Sequence, residues 1–432
     1  MGWLDATEER DTRGLGGLAK RALRQAKGAA RTRARVRPAD PAERSWHIVV
    51  GEYPPMRGGV SDYTRELACA LAKAGDEVHV WAPAARGPLV EDPGVVLHPL
   101  VDGFGPKGMV ALARGLGAPD PKKRLLVQYV AQSFGYKGLN LPFCLALASR
   151  REDFSVMFHE VAHPFERGQP LRHKVLAGVT HAMAAVLAYR ANRIFVSTST
   201  WDEYLRAFVP GVQRARWLPV PSGIPRDPSP SRIAEVRAAV SEGGRFGIVG
   251  HFGTYGSVIV PLLEQSLLAL FARHATCKAL LAGGRGIEFA EQLSKKHPSM
   301  RSRIVAIGHQ PGEEAAAHLA ACDVAIQPYP DGITSRRTTA MAHLALGVPL
   351  VANEGTYSES IWRDELAVEL VRGATAEAMG QMADRACALL ADPGRAKALG
   401  ARGLGLYDRL FALERTVEIL RSQAPFERRT GV

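Results

Sequence analysis

The chain has 432 residues, which exceeds the size at which one hydrophobic core keeps growing, so two domains of about 200 residues each are expected. No uninterrupted apolar run reaches the roughly 18 residues that a membrane-spanning helix needs, because the longest candidate, 175–189, is interrupted by Gly178, Thr180 and His181. The net charge of +12 favours anionic partners, but the basic residues lack the interleaved aromatic residues of a nucleic-acid surface, which argues against that partner.

The first 45 residues form a basic extension. Residues 1–44 contain eleven Lys and Arg against six Asp and Glu, so much of the net charge is local. Within the extension, 15–37 is rich in alanine and basic residues and has only a thin apolar stripe. Two interpretations remain open, namely a disordered solvated tail and a basic helix that lies on an anionic membrane surface.

From Trp46 onward, short apolar runs alternate with helical patterns, which is typical of repeated βαβ units. The strands expected in the first half are 47–52, 78–82, 95–99, 124–130, 156–160, 194–197 and 217–220. The segment 218–231 then holds five prolines in fourteen residues, which suits neither a helix interior nor a central strand. The strands expected in the second half are 246–250, 279–282, 304–307, 324–327, 350–352 and 368–371, and a final helix follows Gly405.

These patterns predict an α/β protein with two doubly wound domains. The first would span 46–220 and the second 232–404, with a hinge at 221–231 and a last helix at 405–432 that crosses back to the first domain. Ligands of such sheets lie beyond the carboxyl ends of the strands, so we expect two parallel sheets that face one central cleft.

Five cysteines stand singly on apolar segments, without C-x-x-C spacing and without a secretory signal ahead of them. Buried free thiols in a reducing cytoplasm are therefore expected. The basic extension adds a candidate contact with the inner face of an anionic membrane.

Two adjacent glycines, Gly58 and Gly59, lie between the first expected strand and a helical pattern over 61–71. Such glycines let a ligand approach the backbone, and the amino terminus of the helix offers N–H groups to an anion. The pair equally suits an ordinary tight turn, and the segment is not the G-x-G-x-x-G fingerprint of nicotinamide enzymes.

The segments E-Y-P-P-x-x-G-G-V-S-x-Y-T, L-A-x-A-L-A-x-x-G and E-V-H-V-W resemble the amino-terminal pattern of family 4 glycosyltransferases, and the resemblance continues to near the end of the chain. It implies the GT-B fold and a retaining transferase whose second domain binds a nucleotide sugar. His159 matches a histidine beside the transferring sugar, although a lone histidine at a strand end is often structural; His163 is a weaker candidate. Asp331 matches the first of two family glutamates, which lies near the donor sugar.

Two departures from the family pattern affect the donor site. The positions that match the family's two phosphate-binding cations are His251 and Tyr255, and the position of the second glutamate, which holds the ribose, is Thr339. Arginine forks match phosphate oxygens, so we expect Arg336 or Arg337, at the start of a helix, to replace the missing cations. A solvated basic face is the alternative.

The remaining candidates lie at expected strand ends of the second domain. By resemblance they would contact the nucleotide or its sugar, although the glycines also suit ordinary turns and Glu359 also suits a plain surface position. These candidates are Gly253, Gly284, His309, Gln310, Thr334, Ser335 and Glu359.

No D-x-D segment and no His/Cys cluster with ligand spacing occurs, so we expect a reaction without metal or cofactor. The resemblance implies a nucleotide-sugar donor, for which we expect a UDP- or GDP-sugar, and a saccharide, lipid-linked or small-molecule acceptor. The basic extension favours an acceptor at the inner membrane surface, in envelope or exopolysaccharide synthesis. Alternatives are a catalytically silent GT-B scaffold that partners another transferase, and an epimerase or phosphorylase on the same architecture.

Overall fold

A computed structural model describes residues 44–56 and 58–422. The predictions for the basic extension and for the end of the last helix lie outside these residues. Strands occur at all thirteen positions expected from the sequence, with ends that differ by at most three residues. The predicted α/β class with two parallel sheets is therefore confirmed.

The first sheet has seven parallel strands in the order β3-β2-β1-β4-β5-β6-β7. The strands are β1 (Ser45–Val50), β2 (Glu77–Pro83), β3 (Val95–Leu100), β4 (Lys123–Tyr129), β5 (Asp153–Phe158), β6 (Arg193–Val196) and β7 (Arg216–Trp217). The helices are α1 (Gly59–Lys73), α2 (Pro106–Leu116), α3 (Leu141–Ala148), α4 (Leu171–Arg190) and α5 (Thr200–Phe208), with a 3₁₀ turn at Tyr136–Gly138. The strand order reverses between β1 and β4, which puts the crevice of this sheet at their carboxyl ends.

The second sheet has six parallel strands in the order β10-β9-β8-β11-β12-β13. The strands are β8 (Gly247–Phe252), β9 (Cys277–Ala282), β10 (Ile304–Gly308), β11 (Val324–Gln327), β12 (Leu350–Glu354) and β13 (Glu369–Arg372). The helices are α6 (Pro230–Ser241), α7 (Val260–Arg273), α8 (Gly286–Lys296), α9 (Gly312–Ala320), α10 (Thr338–Ala345), α11 (Ile361–Asp364), α12 (Ala376–Ala391), α13 (Pro393–Leu406) and α14 (Leu413–Arg421), with a 3₁₀ turn at Pro298–Arg303. Here the order reverses between β8 and β11.

Each sheet has its own hydrophobic core. In the first, a cluster of buried aromatic rings includes Phe104, Phe134 and Phe143, whose ring centroids lie 4.6–5.1 Å apart. In the second, the buried side chains include Leu267 of α7 and Met382 of α12. Central strands such as β1 are buried over their whole length, because helices cover both faces of a doubly wound parallel sheet.

Contacts within the chain define two compact units. The first contains 44–196 and Trp201–Trp217, and the second contains Ser197–Thr200 and the described chain from Leu218 onward. No helix or strand occurs between Trp217 and Pro230, in agreement with the proline-rich sequence there. The predicted domain ends at 220, 231 and 404, and the return of the last helix to the first domain, stay predictions.

The final helix differs from its prediction. Instead of one helix after Gly405, α13 continues to Leu406, a π-helical turn follows at Tyr407–Phe411, and α14 begins at Leu413. The interruption lies at Ala412, whose extended backbone, with ψ of 142°, breaks the helical hydrogen bonding. Among the described residues, no helix is long and apolar enough to cross a membrane.

All five cysteines are free thiols. Cys144, Cys277 and Cys322 are buried as expected, whereas Cys69 and Cys387 are partly exposed.

Candidate functional site

The predicted glycine pair lies at the carboxyl edge of the first sheet. Gly59 is the first residue of α1 and Gly58 directly precedes it. The carboxylate of Glu52 occupies this helix end, where the backbone N–H of Ser61 donates to it, and burial raises its pKa, with a smaller contribution from Asp62. An added Cβ on Gly58 would lie 2.1 Å from a Glu52 oxygen, so the two residues are in direct contact.

His159 follows β5 at the same edge and is 6% exposed. Its Nε2 lies 2.7 Å from Oε1 of Gln128, the penultimate residue of β4, and its ring packs edge-on against Tyr63 of α1 at 5.4 Å. Burial lowers the pKa of His159 to about 3. The histidine is therefore neutral near pH 7 and can act only through hydrogen bonds.

The structure shows a second close contact at this edge, which the sequence did not predict. An added Cβ on Gly51, directly after β1, would lie 2.3 Å from the side chain of Ser133 and 2.6 Å from its carbonyl oxygen. The loops after β1 and β4, which meet where the strand order reverses, are thus in backbone contact.

The carboxyl edge of the second sheet is built on three glycines in contact. Gly253 N–H donates to Ala282 O at 3.1 Å, and Gly283 N–H donates to Gly308 O at 2.9 Å. Gly283 has a φ of +118°, and an added Cβ would lie 2.0 Å from Gly253 O. The predicted residue Gly284, directly next to it, has open space around it.

We expect Gly283→Ala to destabilise the second unit by about 2 kcal/mol, because a Cβ there collides with backbone and the positive φ disfavours alanine. The matched control is Gly284→Ala, which meets no atom within 4 Å and should change the free energy of unfolding by less than about 0.5 kcal/mol. Urea unfolding of the two variants beside the wild type measures both values. Equal stabilities of the two variants would contradict the contact.

His251, on β8, belongs to a buried polar group at this edge. Its Nδ1 lies 3.0 Å from Ile326 O, to which it donates, and its Nε2 has no hydrogen-bond partner among the described residues. The amide nitrogen of Gln327 donates to Phe252 O at 2.9 Å and to Nε2 of His343 at 3.1 Å. Burial lowers the pKa of His251 to about 4, so this residue offers phosphate no positive charge near pH 7.

These buried histidines make stability dependent on pH. Burial also lowers the pKa of His343 to about 3, whereas an unfolded histidine titrates at 6.5. Below pH 6.5 the unfolded chain therefore binds the proton that the folded chain excludes, and stability falls as the pH decreases towards 4. Each such histidine should cost about 2 kcal/mol between pH 7 and pH 5.

The change from pH 7 to pH 5 is measured by urea unfolding for the wild type, for His343→Gln and for His309→Gln. His309 is exposed in the same unit, so its replacement should leave the acid-induced loss unchanged. His343→Gln should reduce that loss by about 2 kcal/mol. An unchanged loss in His343→Gln would show that this histidine titrates normally.

The loop after β11 places the two predicted arginines. Its path is fixed by Gly332, with φ of +85°, whose added Cβ would lie 2.1 Å from the backbone nitrogen of Gly355 in the loop after β12. Since α10 begins at Thr338, Arg336 and Arg337 directly precede its first turn, as the sequence predicts.

The guanidinium of Arg337 is largely buried. It stacks on the ring of Tyr329 at 4.8 Å, and a terminal nitrogen lies 3.8 Å from the carboxylate of Asp331. Its Nε has no hydrogen-bond partner among the described residues. Burial, and then the charge of Arg336, lower the pKa of Arg337. A buried cation beside a second cation, with one long carboxylate contact, is an environment that an added anion would stabilise.

Thr339 stands where the resemblance predicts a ribose-binding carboxylate. Its hydroxyl lies 2.8 Å from the hydroxyl of Tyr329, and burial raises the pKa of that phenol to about 12. The pair is uncharged near pH 7. A carboxylate can accept hydrogen bonds from two ribose hydroxyls, one on each oxygen, and this pair of neutral hydroxyls would have to contact a ribose in a different way.

Glu359 lies in a buried hydrogen-bond cluster. Its carboxylate accepts from the hydroxyl of Thr198 at 2.6 Å, the N–H of Ser335 at 3.1 Å and the indole of Trp362 at 2.8 Å. Ser335 and Thr334 are fully buried. Glu359 therefore holds the arginine loop in place through Ser335, and direct contacts of these three residues with a ligand stay proposals.

The last two predicted residues follow β10. His309 is exposed, and the amide of Gln310 folds back onto Ile307 O at 2.5 Å. Together with Gly253 and Gly284 they lie in the loops after β8, β9 and β10, whereas the residues from Asp331 to Thr339 share the loop after β11 and the start of α10.

The sequence predictions missed two glutamines at corresponding places. Gln128 is the penultimate residue of β4 and Gln327 the last residue of β11, the strands beside the point of reversal in each sheet. Each is hydrogen-bonded to a histidine, His159 and His343 respectively. A polar residue near the carboxyl end of an apolar central strand is the signal that would have found them.

Comparison with known proteins gives similarity at the level of structure. No protein-family model matches the chain, and no curated protein matches it in sequence. Sucrose-phosphate synthase from Thermosynechococcus elongatus superimposes with a TM-score of 0.65 at 20% identity over 87% of this chain and 97% of that chain. HepE from Anabaena, in complex with UDP, gives 0.60 at 12% identity over 87% and 98%. WaaG, a glycosyltransferase involved in lipopolysaccharide biosynthesis, gives 0.61 at 13% over 87% and 98%. The chain thus has the GT-B fold of these glycosyltransferases.

Proposed function

We propose that the chain is a retaining family 4 glycosyltransferase that moves a sugar from a UDP- or GDP-sugar to a saccharide, lipid-linked or small-molecule acceptor without a metal ion. The observation that carries the proposal is the largely buried side chain of Arg337 at the carboxyl edge of the second sheet. Its Nε has no hydrogen-bond partner among the described residues, and its carboxylate contact with Asp331 is 3.8 Å long. A nucleotide diphosphate supplies the anion that this environment favours.

Charge balance supports the diphosphate. Arg336 and Arg337 are adjacent, and the carboxylate of Asp331, which is about half exposed, lies 3.8 Å from Arg337. The two arginines also precede the first turn of α10, whose backbone N–H groups and dipole favour an anion. Such an arrangement suits glycosyl transfer, because negative charge builds up on the departing phosphate while the sugar becomes oxocarbenium-like.

The other predicted residues have complementary roles in the proposal. Gly253, Gly284, His309 and Gln310 would contact the nucleotide in the loops after β8, β9 and β10. His159, which is neutral, would accept or donate one hydrogen bond to the sugar. Asp331 would lie near the transferring sugar, and Gly58 and Gly59 near the phosphate. HepE, which has a similar fold, forms complexes with UDP and UDP-glucose, and this analogy supports a UDP-sugar as the donor.

The test is a thermal-shift screen of UDP-, GDP- and ADP-sugars with EDTA present, followed by detection of the released nucleoside diphosphate and of the anomeric configuration of the product. We expect one donor class to raise the melting temperature and to turn over with retention. Free sugars and nucleoside monophosphates are the controls, since neither carries the diphosphate. An absolute requirement for a divalent metal, or inversion at the anomeric carbon, would refute the proposal.

A silent scaffold is the second candidate, and one observation favours it. His251 and Thr339, which stand at family positions for charged residues, are engaged with Ile326 O and with Tyr329. In that case a nucleotide sugar would bind without turnover, and the screen would give a thermal shift but no released diphosphate.

A further inference from the structure

We propose that the first unit carries a surface that docks on an anionic lipid bilayer. The surface, called here the α4 surface, comprises exposed residues of α4 and of two loops beside it. Its apolar members are Tyr136, Leu139, Phe165, Leu171 and Val175, and its cations are Lys137, Arg167, Arg172 and Lys174.

The apolar members are concentrated in one part of the chain. Five of the thirteen exposed large apolar side chains among the described residues fall within 136–175. Leu171 is 74% exposed, Tyr136 59% and Phe165 51%. Single exposed apolar residues are ordinary, whereas a group on neighbouring elements marks an interaction surface.

Contacts hold these elements together. An added Cβ on Gly138 would lie 3.1 Å from Cδ1 of Leu176, so the turn that carries Tyr136 and Leu139 packs against α4. The ring of Phe165 lies 4.9 Å from the ring of His181, which is also on α4. The two loops therefore border the same helix.

The outward face of α4 has a pattern that suits a bilayer. Leu171 and Val175 are one turn apart and share a face, and Arg172 and Lys174 flank them on either side. Apolar side chains can insert among lipid tails while the neighbouring cations reach the headgroups.

The charge of the α4 surface indicates which kind of partner binds there. Four exposed cations lie in the loops after β4 and β5 and at the start of α4, against two exposed acidic residues, Glu160 and Glu166. Anionic headgroups attract such a group of cations, each to a similar degree, without requiring a complementary groove. The structure therefore favours a lipid surface over a protein partner.

The position of the α4 surface gives it a role in the reaction. The two loops leave the carboxyl ends of β4 and β5, and His159 is the first residue after β5. If the proposed function holds, an acceptor anchored in the bilayer would reach this edge directly, so the α4 surface specifies a lipid-linked acceptor.

The experiment is sedimentation of the full chain with phosphatidylcholine vesicles, with and without about a third phosphatidylglycerol. Leu171→Gln/Val175→Gln should weaken binding to the anionic vesicles about tenfold or more. Arg172→Gln/Lys174→Gln should weaken it by a similar factor in low salt. The matched control is Val101→Gln/Val258→Gln, at residues 94% and 66% exposed elsewhere, which should bind as the wild type does.

Each outcome decides the proposal. Wild-type binding by both α4 variants, equal binding to zwitterionic and anionic vesicles, or no binding by the wild type would overturn it, the last in favour of a protein partner. Vesicle binding is measured without any sugar donor. A chain that binds vesicles through α4 but transfers no sugar would therefore refute the proposed function and leave the docking surface standing.

Discussion

Replacing Arg337 by glutamine should weaken binding of the nucleotide-sugar donor about 30- to 100-fold, because a charge-assisted pair with phosphate contributes roughly 2–3 kcal/mol. The side chain should not be needed for folding. Its side chain is 23% exposed, its buried Nε has no partner among the described residues, and its closest carboxylate contact is 3.8 Å. Removing the charge should therefore leave the melting temperature of the unliganded protein unchanged or raise it.

Two variants make this measurement specific. Arg337→Lys keeps the charge but loses the bidentate fork, so calorimetry should find a donor affinity between those of the wild type and of Arg337→Gln. Arg273→Gln removes an equal charge at the end of α7, where Arg273 pairs with Asp384 at 2.6 Å, and should leave donor affinity unchanged. Unchanged affinity in both Arg336→Ala and Arg337→Ala would refute the role of this loop.

Replacing Glu359 by alanine should lower the free energy of unfolding of the second unit by about 4 kcal/mol. The carboxylate accepts hydrogen bonds from Thr198, Ser335 and Trp362, and each of these donors would be left buried without its acceptor. Because Ser335 directly precedes the two arginines, the loop should also lose its position. Donor affinity should then fall, although Glu359 itself is buried, with only 9% of its surface exposed.

Glu359→Gln separates charge from shape, since its amide keeps one acceptor oxygen and should retain about half of the stability that the alanine variant loses. Glu365→Ala is the matched control, because this nearby glutamate pairs with Arg409 at the surface and should cost less than about 1 kcal/mol. Urea unfolding gives all three values. A loss in Glu359→Ala as small as that of Glu365→Ala would contradict the buried cluster.

The strands were predictable because their apolar runs reflect burial alone. A central strand such as β1 is covered on both faces, so its residues carry the signal without knowledge of their neighbours. The loops were predictable only where a local rule applied. The position of Arg337 before α10 followed from the helical pattern, whereas its stacking on Tyr329 depends on a residue eight positions earlier that folds under it.

Contacts between distant segments account for the rest. The hydrogen-bonding role of Glu359 depends on Thr198, which is 161 positions away in the sequence. The polar group around His251 depends on Gln327 and His343, whose spacing matches no short motif. The interruption of the last helix at Ala412 was also missed, since alanine is a strong helix former and the extended backbone there reflects tertiary context.

The carboxylate of Glu52 at the amino terminus of α1 has a consequence for selectivity. With Glu52 in place, this helix end is a competitive site, since any incoming anion must displace an internal one that already accepts the N–H of Ser61. A phosphoryl group, with more charge and more acceptor oxygens than chloride, is the anion that we expect to compete best for this N–H. We therefore expect an anion to bind at this helix end only in competition with the carboxylate of Glu52.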